Sequence, residues 1–202
     1  MEIVVIGATG TIGSEIAKLS EERGNTVITA SRNGKHRINI DDPKSIEQFF
    51  EKIPTVDAII CAAGNASFGG LQELSDEQID LGLKSKLMGQ VNLVRKGLNK
   101  LNSGGIIILT GGIFAHNPWP QTTNIAMVNA GLEGFVRAAA LEMQDGKRVA
   151  VIHPPFVRET AKAMGMDAEP YLPAAKVAET YLETLTKKTF DIPIFVEENN
   201  PE

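Results

Sequence analysis

The sequence predicts an α/β fold: a doubly wound parallel sheet of about seven strands in a single domain over 1–202. Three observations support it. Short apolar runs alternate with amphipathic segments along almost the whole chain, the order expected when helices cover a sheet. The runs are continuous rather than alternating in polarity, as in strands buried on both faces. The first run, Glu2-Ile3-Val4-Val5-Ile6, passes directly into a glycine-rich turn and then into a helical pattern. At 43% hydrophobic and 22% charged residues, 202 residues are enough to bury a core without disulfides.

Strands are predicted over 2–6, 26–30, 37–40, 56–62, 104–110, 148–153 and 191–196. Helices are predicted over 11–23, 43–52, 76–101, 122–144 and 174–187. In the first helix, Ile12, Ile16 and Leu19 recur at helical spacing, and Gly24 separates it from the strand Thr26–Ala30. Asp41 and Asp42 open the second helix, with Pro43 in its first turn. The strand ending Asp57-Ala58-Ile59-Ile60-Cys61-Ala62 carries the lone cysteine, read as a small core residue rather than a nucleophile. One cysteine cannot form an internal disulfide, so a reducing cytoplasm is the expected location.

In the long third helix, Leu83, Leu87, Val91, Val94, Leu98 and Leu101 step by three or four and predict one buried stripe. Ile125, Val128, Leu132, Phe135 and Ala139 do the same in the next helix. That helix also carries Ala126, Ala130, Gly134 and Ala138, a small-residue ridge suited to close approach by another helix of this chain or of a second subunit. Segments 111–121 and 154–173 read as loops, and 197–202 as a fraying acidic tail. The net charge of −5 argues against nucleic acid and acidic membrane surfaces as partners. No apolar run reaches membrane-spanning length, and the N-terminus shows no charged leader followed by an apolar stretch.

The chemistry begins at Gly7-Ala8-Thr9-Gly10-Thr11-Ile12-Gly13. Gly7 suits a tight turn, Gly10 leaves room for a pyrophosphate against the backbone, and Gly13 lets the helix pack close to the strand. The helix start behind Thr11 offers free N–H groups and the positive end of a dipole. Gly7, Thr9, Gly10, Thr11, Ile12 and Gly13 are therefore candidate dinucleotide-binding residues of a Rossmann-type fold.

With Cys61-Ala62-Ala63-Gly64 after the fourth strand, Asn129-Ala130-Gly131 through Leu141-Glu142, and His153-Pro154-Pro155-Phe156-Val157-Arg158, the chain resembles a short-chain dehydrogenase/reductase over nearly its whole length. The resemblance implies NAD(P) binding, a small-molecule substrate and a dimer or tetramer. It adds Ala62, Ala63, Gly64, Pro154 and Val157 to the cofactor site. It also implies that the family's active-site tyrosine and lysine fall at Ile125 and Asn129, its serine at Gly112 and its asparagine at Lys86. Ile125 has no exchangeable proton. The only tyrosines, Tyr171 and Tyr181, lie far downstream.

Lys86, Asn129 and Thr110 are the candidate catalytic residues. Lys86 offers a charge for an oxyanion or an anionic substrate, and Asn129 a hydrogen bond to a ribose hydroxyl. Ser85 and Thr110 are hydroxyls near the right element ends, with structural roles the commoner outcome. After the second strand comes Ser31-Arg32-Asn33, without the acidic residue that usually binds a 2′-hydroxyl. Ser31 and Arg32 suit a 2′-phosphate instead, so NADP(H) is expected over NAD(H). Lys35 adds a looser charge, and Asn39 aligns near the adenine. His116, Asn117 and Trp119 are candidates to line a substrate pocket. His36 and His153 show no partner pattern, and no metal is expected.

Two functions compete on this reading: an NADP(H)-dependent oxidoreductase with a non-standard active site, and a catalytically inactive protein of the same fold that binds or senses NADP(H). A sugar-nucleotide epimerase is weaker, because that group also uses the missing tyrosine and lysine.

Overall fold

A computed structural model describes residues 1–196. Seven parallel strands are ordered β3-β2-β1-β4-β5-β6-β7. They are β1 (Glu2–Ile6), β2 (Thr26–Ser31), β3 (His36–Arg37), β4 (Val56–Cys61), β5 (Leu101–Thr110), β6 (Arg148–His153) and β7 (Ile194–Phe195). The order reverses between β1 and β4, and at the carboxyl ends of that pair a crevice must open. Side chains along each central strand alternate between two cores. Val4, Ile6, Ile59, Cys61, Ile107, Leu109 and Val151 face one side. Ile3, Val5, Ala58, Ile60, Ile106, Ile108 and Ile152 face the other.

Helix α1 (Thr11–Glu22) and α7 (Ala174–Thr186) cover the second core; α2 (Pro43–Lys52), α4 (Gln90–Gly97) and α5 (Thr123–Ala140) cover the first. The Asp42 carboxylate accepts the Lys44 N–H at 2.9 Å with Pro43 in the first turn, as the sequence implied. Among the described residues no helix is long and apolar enough to cross a membrane.

Four expectations need correction. The strand at 37–40 stops at Arg37, because Asn39 turns the chain by accepting the Asp41 N–H on its own side chain. The helix at 76–101 is composite: α3 (Asp76–Leu81), a π-helical segment (Gly82–Gly89), α4 and a short 3₁₀ turn (Leu98–Lys100). The wider π turn rotates the apolar face, so Leu83, Leu87 and Val91 are only half-buried while Leu93 and Val94 go inside. Residues 154–173 contain a short helix, α6 (Arg158–Ala163), too brief to show a period. The strand at 191–196 pairs only over Ile194–Phe195, since Pro193 has no N–H for the ladder. The sequence at 197–202, read as a fraying tail, lies outside the described residues.

Candidate functional site

Two cavities open at the carboxyl ends of the strands and meet at Gly64, which lines both. The first, about 310 Å³, is walled by the loop after β1 (Gly7, Thr9, Gly10), the end of β2 (Ser31, Arg32), Asn39, and Ala62, Ala63 and Gly64 after β4. Gly7 takes φ +85°, and a Cβ there would lie 2.7 Å from the Ala62 carbonyl oxygen. A Cβ on Gly13 would lie 2.1 Å from the Gly7 carbonyl oxygen, so α1 sits on the loop as closely as backbone allows. No side chain caps α1, which leaves its first N–H groups unclaimed. Thr11 is exposed and Gly13 buried; neither lines a cavity, and what they contribute is backbone.

The arginine end of this cavity carries free donors. Arg32 is exposed and forms no ion pair among the described residues. The Ser31 hydroxyl beside it is buried without a hydrogen-bond partner. Asn39 accepts the Asp41 N–H on Oδ1 and donates its backbone N–H to the Ser45 hydroxyl oxygen, leaving its side-chain amide nitrogen as the free donor. Such unpaired groups fit a phosphorylated nucleotide. Asn33, Ile38, Ile40, Asp41, Asn65 and Ser85 also line the wall, and sequence reasoning did not assign them there. Ser85 fixes the loop after β4 by accepting the Asn65 N–H at 3.0 Å.

The second cavity, about 320 Å³, brings together Lys86, Gly112, Ile125 and Asn129, with Ile12, Pro154 and Val157 from the cofactor set. Apart from Thr160, its remaining wall is apolar and includes Phe68, Phe114 and Phe156. Trp119 and Tyr171 meet these rings edge to face, Trp119 at 4.9 Å from Phe114 and Tyr171 at 5.4 Å from Phe156. Lys86 is the one ionisable side chain among the described residues lining this cavity. Desolvation pulls its pKa from 10.5 down to about 8. No carboxylate pairs with it among the described residues. Lys84, on the same π-helical segment, points outward and pairs with Asp80 at 3.4 Å.

Asn129 differs in role from the sequence reading. Its Nδ2 donates to the Gly112 carbonyl at 3.3 Å, so the side chain presents Oδ1, an acceptor with no partner, rather than a donor. Thr110 is not brought to the cavity. Its hydroxyl donates to the Cys61 carbonyl at 2.6 Å and pairs with the Tyr181 hydroxyl at 2.8 Å, inside the core. Burial pushes the Cys61 thiol up to about 11, which suits a core residue and not a nucleophile. His116 does not line the cavity either, because its ring turns to Glu133 on α5, 2.6 Å away. Trp119 acts only through the rings in front of it.

Comparison with known proteins agrees with this architecture. The family model for enoyl-(acyl carrier protein) reductase matches residues 7–189. A solved Listeria innocua protein is 34% identical, with a TM-score of 0.89 over 98% of this chain and 100% of that one. A small-chain dehydrogenase solved in complex with NADPH is 28% identical, with a TM-score of 0.86 over 98% of this chain and 96% of that one. The 3-oxoacyl-(acyl carrier protein) reductase of Rickettsia felis is 25% identical over 77% of this chain and 72% of its own length.

Proposed function

This chain belongs to the short-chain dehydrogenase/reductase family of oxidoreductases, and from that premise we propose that it is an NADP(H)-dependent reductase of a small, largely apolar carbonyl compound, working with a non-standard active site. One observation carries the reading: the four positions that the family resemblance equates with its catalytic set, Lys86, Gly112, Ile125 and Asn129, line one cavity, and Lys86 stands there unpaired.

The first cavity holds the nucleotide. The Gly7–Gly13 loop and the start of α1 receive the pyrophosphate, Arg32 and Ser31 receive the 2′-phosphate, and Asn39 faces the base. The reduced nicotinamide, when bound, supplies hydride. The chain's own residues do the rest. Lys86 directs its ammonium at the substrate oxygen and stabilises the negative charge that develops there. With a pKa of about 8 it also holds a proton it can give to that oxygen near neutral pH. Asn129 accepts a hydroxyl proton on Oδ1, and the aromatic wall keeps water from the reacting oxygen.

Steady-state oxidation of NADPH against a panel of apolar aldehydes and ketones tests this. Lys86→Met is expected to lower turnover by about ten- to a thousandfold, the range for one electrostatic contact, while NADPH affinity changes little. Normal turnover in that variant removes Lys86 from the chemistry. The inactive-binder reading is favoured by Ile125, which puts a side chain with no exchangeable proton on the wall. NADPH binding without turnover of any substrate would establish it.

A homo-oligomer belongs to the same proposal. Ala130, Gly134 and Ala138 are exposed along α5, with Met127 beside them and Met88 on the neighbouring helix. A strictly monomeric mass by light scattering at high concentration would defeat it.

A further inference from the structure

Beside the Gly112 loop three side chains from separate elements converge, and none of them lines the substrate cavity. His116 follows the 3₁₀ turn at Ile113–Ala115, Glu133 lies on α5, and His153 ends β6. His116 Nε2 is 2.6 Å from Glu133 Oε2, and His153 Nε2 is 3.7 Å from the same oxygen. The ligand atoms of all three lie within 4.8 Å of one another.

His153 is the informative member. It is 0% exposed, and its Nδ1 lies 2.7 Å from the Gly112 carbonyl oxygen. The Gly112 backbone N–H also points at Nδ1, from 3.0 Å, so that residue's backbone holds Nδ1 and Nε2 is the nitrogen turned to the cluster. That Nε2 is buried and has no hydrogen-bond partner. It faces the Glu133 carboxylate from 3.7 Å, beyond hydrogen-bond distance, so a buried polar nitrogen is aimed into the cluster unsatisfied.

A cation resolves it. We propose that His116, Glu133 and His153 bind a transition-metal ion of the Zn²⁺ type, with water in the fourth position. Two imidazole nitrogens and one carboxylate suit zinc, whereas magnesium and calcium prefer oxygen donors. A tetrahedral ion with bonds of about 2.0–2.1 Å needs its donors about 3.3 Å apart. The 2.6 Å and 3.7 Å separations reach that value by shifts of less than about 1 Å at each pair. With Nε2 on the ion the proton sits on Nδ1, and its 2.7 Å contact with the Gly112 carbonyl is then the outer-shell bond that metal-bound histidines usually make. Arg137 holds the other Glu133 oxygen, Oε1, at 2.8 Å, leaving Oε2 for the ion. His116, with 41% of its side chain exposed, gives the ion a route in and leaves room for the water. An ion here ties the segment 112–116, of which Gly112, Ile113 and Phe114 line the substrate cavity, to α5 and β6.

The full chain, carrying no added histidine tag and stripped by a chelator, is titrated with Zn²⁺ by calorimetry and with Co²⁺ in the visible. The expected result is one ion per chain with a Kd of about 1 μM or below and four-coordinate Co²⁺ bands. His116→Ala changes an exposed side chain and Glu133→Gln keeps the shape, so both variants test the site without relying on a change at buried His153. Each should weaken Zn²⁺ by more than about a hundredfold, beyond the ten- to hundredfold typical of outer-shell partners. His36→Ala, on β3, should leave binding unchanged. Binding weaker than about 100 μM, or binding that survives both His116→Ala and Glu133→Gln, overturns the proposal.

Discussion

Replacing Lys86 by methionine should stabilise the free protein, and the gain should fade as pH rises. The ammonium is held in a cavity without a counter-charge, and its pKa falls from 10.5 to about 8. At about 1.36 kcal/mol per pH unit, keeping the charged form costs the folded state at most about 3 kcal/mol, an upper bound because the side chain is only half-buried. A lysine with a depressed folded pKa binds fewer protons folded than unfolded between pH 8 and 10.5. Stability therefore rises with pH across that window, and below pH 8 the full cost is present. Lys86→Met keeps the alkyl stem and removes the charge. At pH 7 the variant should exceed the wild type by up to about 3 kcal/mol, and by pH 9.5 about 2 kcal/mol of that gap should have closed. Urea denaturation of both proteins at pH 7, 8.5 and 9.5, followed by far-ultraviolet circular dichroism, measures the gap. A variant no more stable at pH 7, with a gap that does not move with pH, refutes the burial of an unpaired ammonium and the role built on it.

Arg32→Ala should weaken NADPH by about ten- to a hundredfold and leave NADH unchanged, the range for hydrogen bonds to a charged group; calorimetry with both cofactors reads this, and equal wild-type affinities unaffected by the change remove the 2′-phosphate role. Gly13→Ala should abolish cofactor binding and cost about 1–3 kcal/mol in thermal unfolding, because the new methyl would meet the Gly7 carbonyl 2.1 Å away. Thr110→Val should cost about 1–3 kcal/mol by stranding the Tyr181 hydroxyl and the Cys61 carbonyl, while turnover per folded molecule is unchanged. A loss of turnover there without a loss of stability would return Thr110 to the chemistry.

The cofactor half of the site was legible because it is local. Gly7 to Gly13 sit within one turn, and the chain that makes the crevice passes directly through it. The end of β2 was readable for the same reason, since Ser31 and Arg32 are placed by the strand itself. The helix at 76–101 was only partly legible. Its apolar spacing reads as an uninterrupted helix, and nothing in Gly82–Gly89 announces the wider turn that puts Lys86 inward and Lys84 outward. The role of Asn129 depended on Gly112, whose carbonyl occupies its amide nitrogen. The fate of Thr110 depended on Tyr181, a partner from the far end of the chain. His153 looked partnerless for the same reason: Glu133 and His116 reach it only through the fold.

The departures from local rules fall in one region of the molecule. Lys84 and Lys86 share a segment and a chemistry, yet Lys84 takes the inexpensive course, an exposed pair with Asp80 worth about 1 kcal/mol at most. Lys86 takes the costly one, and no salt bridge among the described residues offsets it. A π-helical segment is itself uncommon. Within the same cavity wall, Asn129 keeps a buried oxygen unpartnered, and immediately behind that wall His153 keeps a nitrogen unpartnered. Each feature lowers the stability of the empty chain, and a fold selected for stability alone would have removed them at little structural expense. Their clustering around Gly112 is what bound groups would explain: an oxygen for Lys86, a hydroxyl for Asn129, and a cation for His153.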